Sequence, residues 1–398
     1  MSERPEGHSP LGASGAYQWM ACPASVPLSA GCVDEESEFA VEGTAAHAVA
    51  DVCLVSNTDA WEQMDSVAGP AVYGVDIDPE MVDAVQVYLD RIRLEYPDRN
   101  QGNSWVERSF YCPQFHELFY GTADFVYWDQ LNRELHVWDY KHGAGVVVDV
   151  EHNVQTMYYG CGALEDLGLW AEVDHVILHI AQPRGFHHDG EIREWTISTE
   201  DLRDWLHEDL IPAMDVAQGA SIEQTKSGTH CRFCTVRSYA CPQIMSDMKE
   251  LEEIMARLNK EGGAGKLKGS EVGHFMDLFQ VAKIVNKAAE KTAYARAMNG
   301  KNTPGYKLVK ARANRTWKLP KKTARLAKEK FGSERFVPRK LRSPNQMEEL
   351  QGGKKFAARH GYKPDVGYTL VPNSDGRAAV TRKGAKDQFS PVKKKGKK

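Results

Sequence analysis

The sequence predicts an α/β fold, a small mixed sheet with helices packed against it. Three observations carry that reading. From residue 81 onward the elements run helix, three strands, helix, strand, an order that suits a sheet covered by helices. Within it, residues 120–128 and 134–141 are two runs rich in aromatic and β-branched side chains, separated by a polar turn, as in a hairpin. The chain has 398 residues and 42% hydrophobic content, enough to bury a sizeable core in two or three domains.

The first 60 residues open rich in Gly, Ala and Ser and become helical over 39–55; residues 61–80 are turn-rich. Val82, Val85, Leu89 and Ile92 recur at helical spacing, so 81–96 is an amphipathic helix. A strand follows at 105–110, then the hairpin, a helix over 152–167 and a short apolar strand over 173–181. Residues 199–222 are helical and lead into a cysteine-bearing loop. Helices over 245–260 and 271–298 flank a glycine-rich turn, and the stripe Val272, Phe275, Phe279, Ala282 and Val285 reads as core packing. Residues 304–372 mix short strands and helices. The expected organisation is a main domain over 1–243, a helical hairpin over 244–300, a small basic α/β region over 301–381 and a disordered Lys-rich tail over 382–398.

Net charge is −5, but it is unevenly spread. Residues 301–398 hold 28 Lys and Arg against 7 Asp and Glu, a net of +21, which leaves −26 on residues 1–300. A basic terminal quarter on an acidic body predicts a polyanion partner, DNA above all. No run of 18 or more apolar residues occurs, so no membrane span is expected. The opening MSERPEGHSPLGASG lacks a basic-then-apolar signal pattern, so a cytoplasmic location is expected. The eight cysteines are then metal ligands or buried thiols rather than disulfides. A P-loop G-x-x-x-x-G-K-[ST] is missing, so ATPase or helicase work falls to a partner.

The residues that carry chemistry cluster around the hairpin. Gly121-Thr122-Ala123-Asp124 opens its first strand, and its second carries Asp139-Tyr140-Lys141. Side chains alternate along a strand, so Leu135, Val137, Asp139 and Lys141 share one face. Charges at the end of an apolar stripe are costly to bury unless they pair with each other or with a metal. Pairing of the two strands brings Asp124 near Asp139 and Lys141, a hard-oxygen site suited to Mg²⁺ or Mn²⁺. Such a set meets the needs of phosphodiester hydrolysis, which requires neutralised phosphate charge, an activated water and a stabilised leaving oxygen. Glu107, on the strand before, is a possible extra acid but is not expected to touch the metal. Gln155 and Tyr159 lie on one face of the following helix, at i and i+4.

In the order His47 after a glycine, Gly121 to Asp124, Asp139 to Lys141, and Gln155 to Tyr159, the sequence resembles the RecB-like branch of the PD-(D/E)XK nuclease superfamily. The resemblance implies a restriction-endonuclease-like αβββαβ core with a helical C-terminal extension. It implies His47, Asp124, Asp139 and the Tyr140 backbone carbonyl as metal ligands and Lys141 as the catalytic lysine. Gln155 and Tyr159 would contact DNA or support the site. The implied activity is a Mg²⁺- or Mn²⁺-dependent DNA nuclease, exonuclease in preference to endonuclease. A non-catalytic DNA-binding scaffold retaining the fold is the alternative.

The loop after residue 222 carries Cys231-x₂-Cys234-x₆-Cys241, three thiolates suited to Zn²⁺ or an iron–sulfur cluster, with Cys22 as the fourth and Cys32 in reserve. One cysteine before the nuclease motifs and three after also resembles the AddB-type and CRISPR-associated exonucleases of the same branch. That resemblance implies a [4Fe–4S] cluster, with Zn²⁺ as the alternative. Cys53, Cys112 and Cys161 read as packing residues. The stretches from His8 to Cys22-Pro23 and Pro304 to Val309 resemble a family of phage and prophage nucleases. This implies work in phage DNA replication or recombination in the cytoplasm of a bacterial host, with a phage single-strand-binding or recombinase protein as a possible partner.

Overall fold

Two short helices, α1 (Ala16–Ala21) and α2 (Ser25–Ser29), precede the longer α3 (Glu38–Ser56) and α4 (Pro79–Glu95). α4 begins where the Asp78 carboxylate accepts a hydrogen bond from Met81 N and a proline fills the first turn. It buries Val82, Val85, Leu89 and Ile92, as their spacing predicts. The computed structural model describes residues 5, 7–30, 32, 38–65, 75, 77–238, 241–312, 316–317, 320–331, 336–337, 340–341, 343–348, 350–363, 367–372 and 377–380. The Lys-rich tail expected over 382–398 lies outside the described residues.

Strands β1 (Ser104–Tyr111), β2 (Tyr120–Asp129), β3 (Glu134–Tyr140), β4 (His175–Ala181) and β5 (Ile192–Ser198) form one sheet in that order, with α5 (Val154–Leu167) crossing between β3 and β4. β3 and β4 run parallel and the other neighbours antiparallel, so the sheet is mixed. The order α4, β1, β2, β3, α5, β4 is the one read from the sequence. β5 is an addition: it is an edge strand that buries only Arg193 and Ile197, so it has no apolar run to announce it.

Alternation sends the two faces of β3 into separate cores. Leu135 and Val137 pack with α5 and α1, whereas Trp138 and Tyr140 pack with α3 and α4. The Asn153 side chain caps α5, accepting from Gln155 N and Thr156 N, and Gly168 at φ 68° ends it. Gly162 lets α5 lie close on β1, since a Cβ there would overlap the Phe110 ring. Beyond β5, α6 (Thr199–Trp205) runs through a π turn at Leu206–Leu210 into α7 (Ile211–Gln218).

α8 (Pro242–Glu261) and α9 (Gly269–Met298) are the two helices expected, broken at Gly262 and Gly263 with φ of 96° and 104°. Core packing does not describe the whole stripe on α9. Val272 and Phe279 are 40% and 39% exposed, while Leu278 and Val281 are the residues buried. The buried line is displaced around the helix from the one the apolar spacing picks out.

Chain contacts define two units, Met1–Ile284 and Val285–Lys398, where the sequence reading drew boundaries at 243, 300 and 381. The second unit pairs β6 (Tyr306–Lys310) with a late strand, Tyr368–Pro372. Its small core holds Ala327, Phe331, Met347, Phe356 and Ala357. Among the described residues one helix passes a length-and-hydropathy test for crossing a membrane: residues 39–56 of α3, mean hydropathy 1.3. α3 packs its Ala45, Ala46, Val49 and Cys53 into the core shared with α4 and the sheet, and it carries Glu42, His47 and Asp51.

Candidate active site

The β2–β3 register pairs Phe125 with Trp138, which sets Asp124 opposite Asp139 one step further along. The ladder does not continue through that step. Instead Asp124 Oδ2 accepts a hydrogen bond from Tyr140 N at 2.7 Å, and its Oδ1 lies 3.5 Å from His47 Nδ1. Asp139 is 2% exposed. Lys141 Nζ donates to Asp139 Oδ1 at 3.0 Å and to Gln155 Oε1 at 2.8 Å. Gln155 Nε2 in turn donates to Asp139 Oδ1 and to Tyr159 OH, both at 3.1 Å. Lys141 Nζ also comes within 2.8 Å of Asp139 Oδ2, but hydrogen-bond geometry is met only at Oδ1, so Oδ2 is buried without a hydrogen-bond partner.

His47, Asp124, Asp139, Tyr140, Lys141, Gln155 and Tyr159 all line one cavity of about 970 Å³, rimmed by the N-terminal stretch with His8 and Ser9. Every site residue expected around the hairpin is thus brought to one place. α3 is held there by a network the sequence reading missed. Glu42 Oε1 accepts from Arg184 Nη1 at 2.7 Å and from His142 Nε2 at 3.3 Å, and His142 Nδ1 lies 2.9 Å from Tyr140 OH. The anchor joins the start of α3 to the end of β3, five residues from His47.

The charges act strongly on one another. Burial alone would lower the His47 imidazolium, but the neighbouring Asp124 carboxylate raises it to about 9. Burial would raise Asp124, yet His47 and the Tyr140 amide hold it below the usual carboxylate range. Asp139 goes the other way: burial lifts it, and Asp124 adds to the lift against the pull of Lys141.

Glu107 is the extra acid that the sequence offers on the strand before the hairpin. It lines the same cavity, and ligand atoms of His47, Glu107 and Asp124 all lie within 4.8 Å of one another. Burial and the nearby Asp124 push its carboxyl up to about 7. The β1–β2 register holds on both sides of it, Val106 with Phe125 and Arg108 with Ala123, while Glu107 itself turns to φ 48°. Strand alternation could not reveal this, because the alternation breaks there. The informative signal is the register, which sets Glu107 opposite Asp124.

Among the cysteines, Cys22, Cys231, Cys234 and Cys241 are all buried, and none of the eight is in a disulfide. His230, which the sequence reading passed over beside Cys231, hydrogen-bonds to both Cys22 and Cys231, and these bonds push it up to about 10. Burial would raise the Cys22 thiol, but His230 holds it below its ordinary value. Lys226 N donates to Cys22 Sγ at 3.3 Å, and Thr235 Oγ1 lies 3.0 Å from Ser29 Oγ, so the segment holding Cys22 is docked on the cysteine loop. Cys32 is half-buried and bonds to Leu28 O in its own turn. Cys53, Cys112 and Cys161 sit fully buried in the cores, as expected.

The fold and site define a mixed α/β protein with an acidic, lysine-bearing cavity at the end of a five-stranded sheet. The chain belongs to the DUF2800 family, described as a protein of unknown function, whose model matches residues 8–378.

Proposed function

We propose that this protein is a Mg²⁺- or Mn²⁺-dependent DNA exonuclease built on a PD-(D/E)XK core of the RecB-like type, acting in phage DNA replication or recombination. One observation carries the reading: Asp124, Asp139, Lys141 and Gln155 converge in one cavity, where the buried Asp139 carboxylate is ion-paired with Lys141 and stands close enough to Asp124 for the two acids to repel. Carboxylates crowded in this way repel one another unless a cation balances them. The carboxylate oxygens of this donor set accept Mg²⁺ or Mn²⁺, and its one imidazole favours Mn²⁺. In this reading His47, Asp124, Asp139 and the Tyr140 carbonyl hold the ion. When bound, the ion supplies charge neutralisation for the phosphate and acidifies the attacking water. Asp139 and Gln155 fix the Lys141 ammonium, so that it can stabilise charge on the phosphate or exchange a proton with water. Tyr159 orients Gln155.

The cysteine site is read as a [4Fe–4S] cluster on Cys22, Cys231, Cys234 and Cys241, with Zn²⁺ as the alternative. Four buried thiols, with the segment of Cys22 docked on the loop that carries the other three, are soft donors that suit either group. The basic residues of 301–398 are proposed to contact the DNA backbone.

Incubation with linear and covalently closed circular DNA tests the function. Metal-dependent loss of the linear DNA, with the circle spared and EDTA stopping the reaction, is the expected result. DNA binding without cleavage in Mg²⁺ or Mn²⁺ would replace the enzyme reading with that of a scaffold.

A further inference from the structure

We propose that Glu107 is a cation-holding residue which, with His47 and Asp124, forms a second, Mn²⁺-preferring position beside the one that uses Asp139. The inference rests on the divalent-cation reading of the cavity and deepens it. The motifs around the hairpin leave Glu107 out, and they assign His47 to the same ion as Asp139. The geometry divides them otherwise. His47, Glu107 and Asp124 form one group of three donors within 4.8 Å, and Asp139 is not in it. Asp139 is engaged on the other side, with Lys141 and Gln155 on its Oδ1. Asp124 has its two oxygens turned to different neighbours, Oδ1 to His47 and Oδ2 to Tyr140 N, so it stands between the two positions.

A second observation lies behind this group. A cavity of about 10 Å³ is lined by His47, Asp51, Tyr88, Glu107 and Asp124, among others. Space on that scale holds about one water. Tyr88 is 1% exposed, its hydroxyl has no hydrogen-bond partner, and it interacts electrostatically with Asp124 and Glu107. A water there that accepts from the Tyr88 hydroxyl would direct its own hydrogens at the two carboxylates and hold them in place. The donor types set the ion. One imidazole nitrogen with two carboxylates suits Mn²⁺ better than Mg²⁺, which prefers oxygen throughout, whereas Asp124 and Asp139 suit either.

Mn²⁺ binding to the full-length protein without DNA, read by the EPR signal of free Mn²⁺, tests the proposal independently of cleavage. The wild type is expected to bind two ions per chain. Glu107→Gln and Asp139→Asn should each lose one, and an excess of Mg²⁺ should displace only the ion that Glu107→Gln retains. Glu107→Asp, which withdraws the carboxylate by one methylene, should weaken one site by roughly 10–100-fold and serves in place of the glutamine variant should that one fail to fold. Two sites of unchanged affinity in the Glu107 variants would overturn the inference alone, as would a single wild-type site abolished by either substitution. A wild type that binds no Mn²⁺ at all would overturn the divalent-cation reading with it.

Discussion

Lys141 Nζ donates to Gln155 Oε1 at 2.8 Å while Gln155 Nε2 donates to Asp139 Oδ1 at 3.1 Å, so one amide orients both members of the Asp139–Lys141 pair. Gln155 belongs to α5 and the pair to the end of β3, and the Asn153 cap fixes where that helix begins. Removing the amide leaves the charges in place but frees the ammonium to turn. Gln155→Ala should therefore slow cleavage by roughly 10–100-fold, with DNA affinity little changed. Single-turnover rates at saturating DNA measure this; a rate equal to that of the wild type would mean that Asp139 alone positions Lys141.

Removing the charges themselves should cost far more. Asp139→Ala and Lys141→Ala should each lower cleavage by several orders of magnitude, on the order of 10³-fold or more, because water replaces neither a cation ligand nor a fixed positive charge. DNA binding should persist, since the basic residues of 301–398, the proposed backbone contacts, are untouched. Gel-shift and cleavage assays on the same preparations separate the two effects. Near-normal cleavage by either variant is incompatible with the assigned roles.

The charge on His47 gives a pH signature. Asp124 raises its folded-state value to about 9, above the roughly 6.5 of an unfolded histidine. A raised group stabilises the fold fully below its unfolded value and loses that contribution as pH climbs through its folded value. The metal-free protein should thus lose stability between about pH 6.5 and 9, and His47→Asn should lose less over the same window. A ligating imidazole must be neutral, so Mn²⁺ affinity should rise with pH across that window. Thermal melting in EDTA and Mn²⁺ titrations at each pH check both slopes; a flat wild-type-minus-variant difference would show that Asp124 does not raise His47 in the folded protein.

Much of the site was legible because β3 is a regular strand. Alternation put Asp139 and Lys141 on one face and Trp138 and Tyr140 on the other, and the two cores divide along that line. The partners of α3 were not legible. Glu42 meets Arg184 and His142 across more than 90 residues of chain, and no local pattern encodes such a meeting. Glu107 was named as a spare acid, but its place beside His47 and Asp124 was not legible, since its left-handed backbone interrupts the periodicity by which strand faces are read. β5 escaped because an edge strand with two buried side chains carries almost no period-2 signal. The stripe on α9 erred in the opposite sense: apolar spacing shows which side could be buried, and only the packing partner decides which side is.

Gly162 tests the packing that holds α5 to the sheet. An alanine Cβ there would overlap Phe110, which is 1% exposed and ringed by Phe119, Tyr158 and Tyr159, so the ring has nowhere to move. Overpacking costs typically about 1–3 kcal/mol, whereas the better helix propensity of alanine returns about 1 kcal/mol. Gly162→Ala should be net destabilising, with a lower urea midpoint. Because α5 carries Gln155, cleavage should fall as well, even at temperatures where the protein stays folded. A midpoint at or above that of the wild type would mean that the helix can rise off β1 without penalty.

The cysteine site should join residues more than 200 positions apart. Cys22 and Cys231 share the His230 imidazole, and Tyr17 meets Thr229 at 2.5 Å between hydroxyl oxygens, so the two segments are already in register for a common ligand. Protein purified without oxygen should be brown and contain about four iron and four sulfide per chain, as a cubane requires. Cys234→Ser should lose colour and solubility together, because closing so long a loop contributes strongly to stability. His230→Ala removes a hydrogen bond to two of the sulfurs but no ligand, so it should keep most of its iron and change the reduction potential instead. Iron and sulfide analysis with a redox titration of the three proteins distinguishes ligand from neighbour. Colourless wild-type protein with one zinc per chain would assign the site to zinc, and loss of all iron in the His230 variant would make that histidine a ligand.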